Sequence, residues 1–210
     1  ALPIWRNCIK HCCVDAPYQQ EEQYIYWNSL ISKAIYNGNL MNHQNILILA
    51  PHTDDGEFGC GASIAKFLEQ GSKIYYIAFS TAKKSVPEGL PKDILEKEVK
   101  VATKRLGIEP DHLIIYGFEV RKLNYMRQDL LEELVQLKQK IQPDLVFMPS
   151  PNDLHQDHHT VAMEGLRAFK QTSILAYEVP WNNLRFENQC FVRLEAEHVR
   201  QKVYALDAYN

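Results

Sequence analysis

A doubly wound α/β fold, Rossmann-like, with a mostly parallel sheet in the order 3-2-1-4-5 and helices on both faces, is the architecture this sequence predicts. Three observations carry that expectation. Short apolar runs alternate with segments of helical periodicity from residue 45 onward. The connections between them are short and punctuated by Gly, Pro and Asn. With 210 residues, 46% of them hydrophobic, the chain can fill one domain core.

Each element follows in order. Asn45-Ile46-Leu47-Ile48-Leu49-Ala50 reads as a first buried strand. A helix over 59–70 stops at Gly71, and a second strand covers 73–79. Residues 80–91 form a polar loop holding two prolines. A helix over 92–106 ends at Gly107, a third strand covers 112–116, and a helix over 125–141 precedes Pro143, which opens a fourth strand. A helix over 158–170 leads to a fifth strand over 173–178, an irregular Pro180-Trp181-Asn182-Asn183 segment, a last strand near 190–194 and a final helix. Residues 1–40, rich in Cys, Tyr and Gln, read as a peripheral arm with a helix-capable stretch over 19–36, set apart from a domain over 41–210.

Composition excludes several classes. A net charge of -3 provides no basic field for nucleic acid or an anionic membrane surface. No apolar run reaches the roughly 18 residues of a membrane span, and no apolar signal core opens the chain, so a cytoplasmic protein is expected. Five cysteines, with Cys60 and Cys190 far from Cys8, Cys12 and Cys13, form no readable disulfide framework. The Cys8 to Cys13 cluster lacks the second ligand pair of a finger-like site, and ordinary thiols are expected there.

Chemistry concentrates after strands one and four. His52, Asp54 and Asp55 follow the first, and His155, Asp157 and His158 follow the fourth. In the 3-2-1-4-5 order these strands are neighbours at the switch point, where ligands bind beyond the carboxyl ends. A catalytic zinc takes three protein ligands from His, Asp or Glu and keeps one position open. His52, Asp55 and His158 supply such a set, and Asp54 is left to take a proton from water that zinc acidifies to a pKa of roughly 7. His155, as imidazolium, would stabilise an oxyanion or protonate a leaving amine, with Asp157 orienting its ring. Those parts suit amide or ester hydrolysis.

Two other readings remain. Gly59 and Gly61 open a GxG, but Ile64 stands where a dinucleotide fingerprint has its third glycine, which weakens a nucleotide or sugar-phosphate binding module. A phosphoesterase would use two metals, and Asp153 and His159 are the residues that could add a second, although His159 reads first as a surface residue. At the rim, Trp181 could stack on a sugar face, and Glu178 and Asn183 could bond hydroxyls. Arg121, Lys122 and Arg127 could meet a phosphate, or be solvated helix charges.

The two motifs resemble those of the zinc-dependent de-N-acetylases of the PIG-L/LmbE-like family, His-Pro-Asp-Asp-Glu and His-Pro-Asp-His, which stand here as His52-Thr53-Asp54-Asp55-Gly56-Glu57 and His155-Gln156-Asp157-His158. The likeness runs over about 45–209. It implies one zinc per chain, with iron(II) as an alternative, on His52, Asp55 and His158. It also implies Asp54 as general base, His155 as acid or oxyanion-stabilising group, and Asp157 behind it. The implied reaction removes the N-acetyl group from an amino sugar of GlcNAc type, whether free, nucleotide-linked or in a glycoconjugate. The implied partner is that small molecule, and a homo-oligomer is compatible with the pattern. Thr53 replaces the motif proline, and Gly56 replaces its glutamate, with Glu57 one place later. Similar proteins are expected to continue past Asn210 with a segment that helps close the pocket. The runs from Asp153 to His158 and from Tyr177 to Asn183 look most like a bacterial subgroup linked to surface-polysaccharide or amino-sugar pathways.

Overall fold

The computed structural model describes residues 43–183, 188 and 190–209. The arm over 1–40, its helix over 19–36 and the Cys8 to Cys13 cluster lie outside the described residues. Residues 43–209 group as one unit.

Five strands form one sheet in the order β3-β2-β1-β4-β5: β1 Asn45–Ala50, β2 Lys73–Ala78, β3 Leu113–Ile115, β4 Leu145–Pro149 and β5 Ser173–Tyr177. All four pairings are parallel, and β1 lies between β2 and β4, with Ile46 opposite Leu145 and Ile48 opposite Phe147. The expected strand order is therefore the observed one. Strands covered on both faces must be apolar on both, and β1 and β4 are buried almost throughout.

Among the described residues the α-helices are α1 Asp55–Glu69, α2 Ile94–Leu106, α3 Arg127–Ile141, α4 Gln156–Ala168 and α5 Ala196–Leu206. On one face Leu47, Leu49, Val146 and Met148 pack with Leu130, Leu134 and Leu137 of α3 and Val161 of α4. On the other, α5 packs on α1 and α2. Gly107 ends α2 in the left-handed region with φ of 94°, the backbone expected of a glycine C-cap.

Two expectations are corrected. The first helix begins at Asp55, not at 59, so the glycines of the GxG lie inside it. Gly59 is there because the Tyr177 ring crosses it: a Cβ at this position would lie 2.2 Å from the Tyr177 Cδ2 atom. That leaves no glycine-rich turn to cradle a phosphate. The second correction concerns 190–194. Cys190 to Leu194 joins no strand, because the sheet ends at β5 and this segment instead bonds through the Arg193 carbonyl to Lys66 Nζ at 2.5 Å.

Candidate active site

Two parallel strands that lie side by side deliver their following residues to the same place. The residue at the end of β1 is Ala50, and the Pro51 to Asp55 turn carries the first motif directly into α1. The residues after β4 carry the second, and α4 begins at Gln156 with His155 as its N-cap. Asp54 and Asp55 sit at the start of α1, where the exposed N–H groups and positive end of the helix favour carboxylates.

The motifs meet. His52 Nδ1 stands 3.1 Å from Asp55 Oδ2, Asp55 Oδ2 stands 3.2 Å from His158 Nε2, and the two ring nitrogens are 3.3 Å apart. These three atoms close a near-equilateral triangle. Ligands at about 2.0–2.1 Å in a tetrahedral zinc site stand about 3.3 Å apart, so the triangle fits one face of such a site. The outer nitrogens explain which inner atoms are bare. His52 Nε2 donates to Asp157 Oδ2 at 3.0 Å, and His158 Nδ1 donates to Asp153 Oδ2 at 2.7 Å. As neutral rings, both imidazoles then turn lone pairs, not protons, toward the Asp55 carboxylate. Three acceptors converging this closely call for a cation, and a carboxylate behind each histidine is the usual support of a metal-binding imidazole.

The charges agree with that arrangement. Burial alone would depress the His52 imidazole, but the Asp55 charge and the bonds to Asp157 and Asp55 outweigh it and push its pKa up to about 9. The same contest, with Asp55 and Asp153 opposing burial, pushes His158 up to about 10. Burial pushes Asp55 up, while His158 and His52 hold it well below the usual carboxylate range. A cation in the triangle would take the place of those protons. Asp54 is not in the triangle. Burial, then the neighbouring Asp55 charge, pushes its carboxyl up to about 6.

A wider set of ring nitrogens, one each from His52, His155 and His158, lies within 4.8 Å. His155 is the weaker ligand, because its Nδ1 accepts the Asp157 backbone N–H at 3.2 Å as the cap of α4. This bond fixes its neutral tautomer with the proton on Nε2. Burial, followed by the His52 and His158 charges, lowers its pKa further. The imidazolium expected for His155 is thereby corrected to a neutral N–H donor.

Asp157 is corrected as well. Its carboxylate does not orient His155; it is fully buried behind His52 and also accepts the N–H groups of Arg121 at 2.5 Å and Leu123 at 3.3 Å. Burial would raise its pKa, but these bonds hold it lowered. Arg121 reaches Asp157 with φ of 67°, a left-handed backbone that costs a non-glycine residue about 1–3 kcal/mol. Asp153, considered for a second metal, is committed instead to His158 and to the His155 N–H at 2.8 Å. His159 is exposed and donates to the Pro151 carbonyl at 3.1 Å.

Glu57 does not join the triangle. It is fully buried beneath the motif turn, bonded to the Tyr76 hydroxyl and, at 3.0 Å, to that of Tyr209. Both hydroxyls also donate toward the Thr53 carbonyl, at 3.1 and 2.9 Å, and so brace the turn that presents Asp54. Burial pushes the Glu57 carboxyl up to about 8, which keeps it protonated at neutral pH. Gly56 is required here: a Cβ would come within 2.5 Å of the Tyr76 ring.

Of the rim residues, Trp181 is exposed and meets Phe58 edge to face at 5.4 Å, while Glu178 and Asn183 flank it on the turn after β5. Arg127 is not gathered into the centre. Its guanidinium bonds the fully buried Glu164 at 2.5 to 2.6 Å, shared with Arg167, and thereby ties α3 to α4. The residues that sequence reasoning missed are Tyr76 and Tyr209, together with the orienting role of Asp153. Only Asp153, an acid five places before a histidine at a helix start, left a local signal.

The family model for GlcNAc-PI de-N-acetylases (PIG-L) matches residues 47–169, and the chain belongs to that family. It is 28% identical over 173 residues to the uncharacterized deacetylase YaiS of Escherichia coli K12, covering 80% of this chain and 91% of that protein. It is 27% identical over 153 residues to the diacetylchitobiose deacetylase of Thermococcus kodakarensis, covering 68% of this chain and 56% of that one. Among solved structures, the N,N'-diacetylchitobiose deacetylase of Pyrococcus horikoshii superposes with a TM-score of 0.68 over 93% of this chain and 80% of its own, at 18% identity, a likeness of fold.

Proposed function

We propose that this chain is a zinc-dependent N-deacetylase of an N-acetylated amino sugar, with the domain from residue 41 onward carrying the chemistry and residues 1–40 a separate arm. The observation behind it is the His52, Asp55, His158 triangle beside an unliganded Asp54 at the switch point. Family membership and the diacetylchitobiose deacetylase relative support the sugar substrate. The free thiols of Cys60 and Cys190 suit a cytoplasmic protein. No helix among the described residues is long and apolar enough to cross a membrane.

Zinc on the triangle would supply a Lewis acid that acidifies water to a pKa near about 7 and polarises the amide carbonyl; iron(II) is the alternative ion. Asp54 takes the proton of the attacking water. A carboxyl at about 6 is ionised at neutral pH yet more basic than an ordinary aspartate, which suits a general base. His155 Nε2–H donates to the carbonyl oxygen as negative charge develops there. As the C–N bond breaks, the proton held on Asp54 passes to the nitrogen, so that water and amide become acetic acid and amine, which ionise to acetate and ammonium. Asp157 and Asp153 act at one remove, keeping the lone pairs of His52 and His158 directed into the triangle.

A two-metal phosphoesterase gains no support, since Asp153 and His159 are used elsewhere and the described residues hold one metal-capable cluster. The test is amine release by the zinc-loaded chain from N-acetylglucosamine, N,N'-diacetylchitobiose and a nucleotide-linked N-acetyl sugar. Asp54→Asn is expected to lower kcat by about 10²- to 10⁴-fold with its zinc content unchanged. Full activity in that variant would remove Asp54 from the mechanism.

A further inference from the structure

Two buried side-chain atoms among the described residues have no hydrogen-bond partner, Glu178 Oε2 and Asn183 Oδ1. Both are acceptors, and both stand on the turn that follows β5. The Asn183 amide is oriented by its Nδ2, which donates to the Val179 carbonyl at 3.1 Å, so its oxygen is the end left open. The Glu178 carboxyl is pushed up by burial. An unmet buried acceptor costs about 1–3 kcal/mol, and a native chain retains one where something else supplies the donor.

The turn is bonded to the active site. Asn183 pairs with Asp153 in an isolated antiparallel bridge, and the Leu154 N–H donates to the Asn182 carbonyl at 3.0 Å. Leu154 immediately precedes His155, and Asp153 holds His158. On the same turn Trp181 is 60% exposed, set at 85° to the ring of Phe58 in the first turn of α1. A turn that carries an exposed apolar ring and two open hydrogen-bond acceptors, one of them a carboxylate, rejects phosphate and suits a ligand with a C–H face and several O–H donors.

We propose that Glu178 and Asn183 are specificity-determining acceptors for ring hydroxyl groups of a pyranose substrate, with Trp181 as the surface under the C–H face of its ring. This rests on the deacetylase reading above and adds the part of the substrate that the metal triangle does not touch.

The test compares two amides on six-membered rings: N-acetylglucosamine, and N-acetylcyclohexylamine, which has no hydroxyls. Values of kcat/KM are measured on both for the zinc-loaded wild type, Glu178→Ala, Glu178→Gln and Asn183→Leu, with Tm recorded for each. Glu178→Ala is expected to lose about tenfold or more on the sugar, the worth of a hydrogen bond to a charged acceptor, and less than about twofold on the cyclohexyl amide. Glu178→Gln, which keeps one acceptor oxygen, falls between. Equal losses on the two amides, or no loss on either, would overturn the inference while leaving the hydrolase intact. Hydrolysis of the cyclohexyl amide but not of the sugar would overturn it too. If the wild type hydrolyses neither, the deacetylase reading fails, and saturation-transfer NMR with N-acetylglucosamine decides the inference separately: binding to wild type that Glu178→Ala loses would sustain it, and absent or equal binding would refute it.

Discussion

Replacing Asp153 by Asn changes one atom of a buried side chain and should weaken metal binding without unfolding the protein. Asp153 is 5% exposed, and its carboxylate receives two donors, the His155 N–H on Oδ1 and His158 Nδ1–H on Oδ2. In the variant the amide oxygen still serves the backbone N–H, so the loop stays closed. The amide nitrogen then faces His158 Nδ1 at the position of the old acceptor, 2.7 Å away. Two donors cannot share that contact. His158 accepts there instead and moves its proton to Nε2, the atom that completes the triangle. Losing such an orienting carboxylate typically costs 10- to 100-fold in metal affinity, or about 1.4–2.8 kcal/mol. The assay is competition for zinc against a chromophoric chelator, with thermal unfolding of the metal-free proteins as control. Unchanged zinc affinity in a folded Asp153→Asn variant would show that His158 does not bind metal through Nε2.

Gly56→Ala should lower the Tm, because its Cβ would lie 2.5 Å from Tyr76 Cε2 and 2.8 Å from Cζ, on a ring that is fully buried and cannot swing away. An overpacked site of this kind costs about 1–3 kcal/mol, and an unchanged melting curve would refute the packing. Stability of the chelator-treated protein should fall as pH rises from about 4.5 to 8. The Glu57 carboxyl stays protonated in the folded chain up to about 8, whereas the unfolded chain ionises near 4.5, so between the two the folded state holds the extra proton. Glu57→Gln should flatten that slope in urea unfolding at pH 5 and pH 8; an equal slope would mean that Glu57 is ionised in its pocket.

Strand order and the pairing of the two motifs were legible because they depend on periodicity and on parallel topology, both local properties compounded along the chain. The roles within the motifs were not. Asp157 lies two places from His155 and seemed its natural partner, yet its carboxylate is taken up by His52 from the other strand end and by the Arg121 and Leu123 N–H groups, long-range partners that no local spacing reveals. The start of α1 was misplaced because glycines at 59 and 61 resemble a turn, whereas Gly59 answers to Tyr177 across the sheet. The bracing of the Thr53 carbonyl by Tyr209 joins residues at opposite ends of the described chain, and no spacing rule reaches that far. A strand was expected near 190–194, but among the described residues this segment pairs with no strand and is held instead by the Lys66 ammonium on the Arg193 carbonyl, a side-chain contact from 127 residues away that the sequence does not announce.

The most direct measurement is the metal content of the untagged chain beside its single alanine variants at His52, Asp55, His158 and His155, after loading with zinc and removal of excess. One zinc per chain, lost on replacing any of the first three and kept in His155→Ala, is the expected result. Zinc lost in His155→Ala but kept in Asp55→Ala would contradict the triangle and hand the third ligand to His155, which would then be unable to serve as the neutral donor to the carbonyl oxygen.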